Sequence, residues 1–251
     1  MADEVKVLLF RGTGAPLTGD GIMNAYADGL DDWADISYVD YPASYGSPSY
    51  DISIHKGVAM GLDALRATAK PAIVMGFSQG ADVAAYIHAL LNGAMPNVKG
   101  HNLEGCEVAA SFVIADPSRD YHANIINAPV GGWGIRGPRP VGPNHYGVAN
   151  PGDPICAYPA GPLRTFADFS AYFGDPDAVN KIRKLVREKQ IQPWWRQPNP
   201  LDWFRSWGEA VGWLNNYMGG FHTDQYYTKG LVTSLANVTN EVVRKNILKI
   251  R

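Results

Sequence analysis

Three separated stretches carry residues that could do chemistry together. Gly76-Phe77-Ser78-Gln79-Gly80 follows the apolar run 71–75 and precedes a helix-period stretch holding Val83, Ala84, Ile87, Leu90 and Leu91. A serine between two glycines at a strand-to-helix turn has its hydroxyl presented at the carboxyl end of a sheet. The glycines let strand and helix approach without a Cβ clash, and the helix N-terminus favours a developing anion. The chemistry this suggests is nucleophilic acyl transfer, which needs a base and an orienting acid, following the serine in the order acid, then histidine.

Of the six histidines, His55 precedes the serine, His88 lies on the helix after it, and His101 has no plausible loop acid between it and the serine. His122, His145 and His222 remain. His222 closes Gly219-Gly220-Phe221-His222, which reads as a flexible lead-in just before the final helix, and is the expected base. For the acid, Asp153 sits in the turn-dense Asn150-Pro151-Gly152-Asp153-Pro154-Ile155-Cys156, where flanking prolines would hold a carboxylate still. Asp116, closing the fourth strand, is its competitor. Asp175 and Asp177 read as an N-terminal helix cap and a first-turn acid.

An oxyanion needs donors. The backbone N–H of Gln79 is one, and Thr13, in Arg11-Gly12-Thr13-Gly14 after the first strand, is the other expected position. That loop is not a dinucleotide fingerprint, because Leu17 stands where a third glycine belongs and Pro16 lies inside the motif. No zinc pattern such as H-E-x-x-H occurs, and neither metal nor cofactor is required by this chemistry.

The elements that must position these groups alternate. Strands are expected at 5–10, 36–41, 72–75 and 108–115, and Ile54, Val58, Leu62 and Leu65 share one helical face between the second and third. Strands separated by helices predict a central, mostly parallel sheet with helices on both faces, an α/β three-layer sandwich. From about Gly161 strand signals stop. Val179, Ile182, Leu185 and Val186 mark an amphipathic helix whose basic residues, between Lys181 and Lys189, read as a solvated face. Trp194, Trp195, Trp203, Trp207 and Trp213 crowd the following stretch, and packing is the expected role of most of them. The expected organisation is a core of 1–160 together with 219–251, interrupted by a helical insertion at 161–218. Leu231, Leu235, Val238, Val242 and Ile247 then mark a last helix packed on the sheet.

At 251 residues the chain can bury a substantial core without staples. A net charge of −2 and the lack of a Lys/Arg block argue against a nucleic-acid surface. The N-terminus lacks signal-peptide features and no apolar run is long enough to span a bilayer, so a soluble product made in the cytoplasm is expected. Cys106 and Cys156 fall at opposite edges of the expected sheet, roughly 20 Å apart, and are expected to be free thiols.

Taken together, strand-R-G-T, G-F-S-Q-G, G-D-P-I-C and a late histidine resemble the cutinase family of α/β-hydrolases. The resemblance implies a triad of Ser78, Asp153 and His222 with oxyanion positions Thr13 and Gln79, and it lifts Asp153 further above Asp116. Secreted cutinases carry disulfides and a signal peptide and place the histidine soon after the acid, whereas here 68 residues intervene between Asp153 and His222. Those departures look like the mycobacteriophage lysin B family, cutinase-like esterases with a helical linker between acid and histidine. That likeness implies hydrolysis of the ester joining mycolic acids to arabinogalactan, by a monomer made in the host cytoplasm and acting on the envelope at lysis. A generic cutinase or lipase, and a non-catalytic envelope-binding protein on the same fold, are the alternatives.

Overall fold

The computed structural model describes residues 4–18, 21–120, 125–127, 129–158, 161–188 and 200–249, without the side chains of Pro200, Trp203 and Phe204. Five strands form one sheet in which every pairing is parallel: β1 (Val5–Phe10), β2 (Ala34–Tyr38), β3 (Ala72–Phe77), β4 (Ala110–Ile114) and β5 (His145–Val148), in the order β2-β1-β3-β4-β5. The two-residue period of β1 divides its side chains between two cores. Val5, Val7 and Leu9 join Ile22, Met23 and Tyr26 of α1 (Gly21–Asp28) and Leu231, Val232 and Leu235 of α8 (Leu231–Val242) on one face. Leu8 and Phe10 join Ile54, Val58, Leu62 and Leu65 of α2 (Tyr50–Arg66) and Val83 and Ile87 of α3 (Gln79–Leu91) on the other. The expected three layers are present.

Because all strands run the same way, the chain leaves each of them at one edge, and the strand order reverses between β1 and β3. Open α/β sheets bind ligands at that switch point. Ser78 follows β3 there.

Several boundaries differ from expectation. The second strand stops at Tyr38 instead of running to Tyr41, because the Arg11 guanidinium takes the carbonyls of Val39 and Tyr41 at 3.4 and 2.5 Å. The four-residue β5 was not expected; its central Gly147 masks the strand pattern, yet a Cβ there would stand 2.9 Å from Val113 on β4. The described part of 161–218 carries helices only: α4 (Pro162–Ser170), α5 (Ala178–Arg187) and α6 (Pro200–Asn216). Asp177 occupies the N-cap position of α5 but its side chain caps no amide; it accepts from Asn180 instead. Asp175, the expected cap, accepts the Asp177 amide at 2.8 Å just ahead of α5 and also pairs with Lys181, whose Nζ reaches Asp51 of α2 at 2.8 Å; Asp177, the expected first-turn acid, stands at the N-cap instead. Lys181 is therefore an anchor and not part of a solvated face; Lys189 lies outside the described residues.

Cys106 and Cys156 are both buried and free, as expected.

Backbone packs closely against backbone at the turn after β3. A Cβ on Gly76 would lie 2.0 Å from the Gly80 carbonyl oxygen, and one on Gly80 would lie 1.9 Å from the carbonyl oxygen of Phe10. Both neighbours are backbone and have nowhere to move. Gly80→Ala should therefore cost about 3 kcal/mol or more and yield insoluble or early-melting protein. Gly208→Ala on α6, where nothing stands within 4 Å, should instead be neutral or raise stability by up to about 1 kcal/mol. Thermal unfolding of the two variants beside the parent checks this.

Candidate active site

Ser78 has φ +56° and ψ −120°, a left-handed backbone that a side-chain-bearing residue rarely adopts. It is held there by its own backbone bonds: its N–H donates to Ile114 on β4 at 2.9 Å, and its carbonyl accepts the amides of Ala81 and Asp82 at 2.9 and 3.2 Å. The hydroxyl is thereby turned out at the carboxyl edge of the sheet. Nε2 of His222 stands 2.8 Å from its Oγ, and Nδ1 of the same ring stands 2.8 Å from Oδ2 of Asp153. Of the two expected acids, the fold brings Asp153 to the histidine.

His222 is positioned from both sides. Its ring stacks between Phe77, the residue before the serine, and Tyr217, with centroids 5.1 and 5.3 Å away and planes inclined by 27° and 25°. The flexible lead-in expected here is instead a helical turn, Tyr217–Phe221, continuous with α6 and broken at Gly220, which adopts φ +80°. A short helix, α7 (Asp224–Thr228), separates His222 from α8. The glycine pair suggested a loop, yet one left-handed residue is enough to turn the histidine off the helix end.

The acid loop is locked into this segment. Oδ1 of Asp153 accepts the Ile155 amide at 2.9 Å, while Oδ2 accepts the Tyr226 hydroxyl at 2.8 Å besides meeting His222. A Cβ on Gly152 would lie 2.0 Å from the ring of Phe221, so any larger residue there would displace that ring. Asn150 donates through Nδ2 to the Phe221 carbonyl at 2.8 Å and accepts from Lys229 at 2.9 Å. From the other side the buried Arg119 donates to the carbonyls of Cys156, Gly131 and Gly132. Sequence reasoning missed Tyr226, Asn150 and Arg119. The only advance signal was that Asn150 lies inside the acid-loop motif.

The expected oxyanion positions fall at the same edge. Gly12 packs against Phe77 and comes close to the Ser78 Cβ, so the loop after β1 arrives beside the serine. Thr13 is exposed on that loop, in a turn closed by the Ala15 amide on the Gly12 carbonyl at 3.2 Å. Gln79 begins α3, where first-turn amides lack intrahelical acceptors. Its side chain is fixed by Ser53 and by the Ser44 carbonyl, both at 2.9 Å.

The other candidates are engaged elsewhere. Nδ1 of His145 meets Ser111 at 2.7 Å, Nε2 of His88 meets the Pro143 carbonyl at 2.6 Å, and His55 faces His101. His122 lies outside the described residues. Among the described residues, no group of three or more His, Cys, Asp or Glu side chains could hold a metal, and no helix is long and apolar enough to cross a membrane.

No family model matches the chain, and no curated protein matches it by sequence. Solved structures do. Lysin B from mycobacteriophage D29 superposes with a TM-score of 0.52 at 16% identity, covering 77% of this chain and 90% of that one. An acetylxylan esterase gives 0.49 at 19% identity over 74% and 98% of the two chains. A cutinase-like protein from Cryptococcus sp. gives 0.44 at 19% over 71% and 95%. With the parallel sheet and the strand–serine–helix turn, the likeness to lysin B shows a shared three-layer α/β fold.

Asp116 has a different role from the one it competed for. It is buried beside Asp82, and Oδ1 accepts the Ser118 amide at 2.8 Å. Burial, with the Asp82 charge adding to it, pushes its pKa up to about 7. The folded state therefore holds a proton that the unfolded chain releases near pH 4, so this group lowers stability as pH rises from about 4 to about 7. Asp116→Asn keeps the acceptor and removes the ionisation. Its melting temperature should exceed the parent's by several degrees at pH 8, with the gap closing toward pH 4; a gap independent of pH would contradict the assignment.

Proposed function

We propose that the protein is a serine ester hydrolase acting on lipid esters. The observation that carries this is the single line of contacts from the Ser78 hydroxyl through the His222 ring to the Asp153 carboxylate, each 2.8 Å long. In this reading Oγ attacks the ester carbonyl while Nε2 of His222 takes its proton, and Asp153 holds the ring and favours its cation. The backbone N–H of Gln79 and donors of Thr13 hold the oxyanion. As it collapses, the alcohol leaves with the proton from Nε2, giving an acyl-serine. Water, deprotonated by the same nitrogen, then attacks the acyl carbon, and the serine oxygen departs protonated with release of the carboxylic acid.

Support for a lipid substrate comes from α6. Trp207, Val211, Leu214 and Met218 recur at helical spacing along one exposed stripe roughly 16 Å long, and neighbouring Tyr217 stacks on the histidine. Phe166 and Phe173, on and just after α4, add further exposed apolar surface. In this reading 161–218 is a helical insertion in a core made of 1–160 and 219–251, tied down by Lys181 and offering apolar surface next to the serine.

The finer assignment is a mycolyl-arabinogalactan esterase acting on the mycobacterial envelope during phage lysis. It rests on the G-D-P-I-C loop, the long interval between acid and histidine, and the likeness to lysin B. A generic cutinase or lipase would share every catalytic group and differ only in substrate. A purely envelope-binding protein would not need the contacts at Ser78.

Three measurements test this. Ser78→Ala should abolish cleavage of a short chromogenic ester, and parent-like turnover by that variant would reject the nucleophile. Asp153→Asn should lower kcat by about 10³–10⁴-fold while Asp116→Asn stays within a few-fold. Mycolic acid should be released from purified mycolyl-arabinogalactan; cleavage of triglyceride without such release would favour the generic lipase.

A further inference from the structure

Tyr226 shares one oxygen of Asp153 with the histidine. Its hydroxyl donates to Oδ2 at 2.8 Å, the same atom that meets Nδ1 of His222 at 2.8 Å. The phenol is fully buried and accepts the Asn150 backbone N–H at 3.1 Å, which occupies a lone pair and leaves its proton for the carboxylate. Burial and the adjacent Asp153 raise its pKa well above the ordinary phenol value, so it remains a donor throughout the working range. The Cys156 thiol is the other group near Oδ2, at 3.5 Å, and also meets the Tyr226 hydroxyl at 3.2 Å; it is a weaker donor than the phenol.

We propose that Tyr226 is a positioning residue that sets how strongly Asp153 holds the cationic form of His222. A second donor on Oδ2 fixes the carboxylate plane and draws charge from the oxygen that faces the imidazole. The remaining titratable or charged groups around the pair do not touch that oxygen. Tyr217 lies on the ring face and Ser78 on Nε2. Arg119 binds the Cys156 carbonyl, Lys229 binds Asn150, and Asp224 packs at Gly220. The activity arm of the test rests on the esterase reading; the spectroscopic arm does not.

Tyr226→Phe keeps the ring and removes the donor. Asp153 then offers His222 a more concentrated charge, so protonation of the imidazole is favoured. The acid limb of the kcat/KM pH profile should move up by roughly half to one pH unit, with a plateau about 10-fold lower. In the Ser78→Ala background, the NMR titration midpoint of the His222 ring, assigned by its loss in His222→Gln, should move up equally. Cys156→Ala should shift both much less. Site-specific 3-fluorotyrosine at 226, a stronger donor of nearly the same shape, should move both midpoints down, and it decides the question alone if the phenylalanine variant does not fold. Midpoints that stay at the parent's values in both variants, or that move in the same direction in both, overturn the proposal whatever happens to rate or melting temperature. If the parent hydrolyses no ester, the NMR shifts still decide the role of Tyr226.

Discussion

The left-handed backbone of Ser78 is the constraint on which the rest of the site depends. A residue with a Cβ at φ +56° carries strain of about 1–3 kcal/mol and persists only where its surroundings leave no other option. Here β4 fixes the amide through Ile114, and the first turn of α3 fixes the carbonyl. Gly76 and Gly80 allow β3, α3 and the end of β1 to close within distances no side chain would permit. The same closure brings Gly12 against Phe77, so the conformation that turns the hydroxyl out also brings the loop after β1 beside it.

What could be read from the sequence was what local rules govern. The apolar strand at 5–10, the helical face of Ile54, Val58, Leu62 and Leu65, and the strand–serine–helix turn each have a short-range cause, and each stands in the structure as expected. What could not be read is long-range and polar. Tyr226 reaches Asp153 across 73 positions of chain, and Arg119 reaches Cys156 across 37, with no periodicity to announce either. Arg11 shows the same limit, because residues 39–41 have strand composition but the carbonyls of Val39 and Tyr41 go to a guanidinium from β1's own loop.

The region after Gly161 obeys different physics from the sheet. α5 buries none of its residues and is held to α2 through Lys181 between Asp51 and Asp175. α6 buries Ala210 and rests Trp213 edge-on against Tyr158, while its apolar stripe stays exposed. The expectation that tryptophans build a small core therefore holds for Trp213 and not for Trp207, which is 41% exposed. Trp194 and Trp195 and the side chain of Trp203 lie outside the described residues. An exposed apolar stripe of this length is more than scattered surface hydrophobics, and it adjoins the His222 ring through Tyr217.

That ring sets the final requirement. In the proposed reaction, proton transfer between the Ser78 hydroxyl and Nε2 of His222 needs the imidazole held to within about 0.5 Å. The carboxylate behind it sits on a loop and not in the sheet. No covalent link holds that loop, since Cys156 is free. Its place is taken by directional bonds. Arg119 grips the backbone at Cys156, Asn150 joins the loop to Phe221 and Lys229, and Tyr226 and Ile155 fill opposite oxygens of Asp153. Each such bond contributes modestly to net stability because water would satisfy the same groups in the unfolded chain. Left unpaired in this buried setting, however, any of them would carry the full cost of desolvation. The network therefore acts less as a source of stability than as a penalty on every other arrangement of the loop, and this is the property that the role proposed for Asp153 requires.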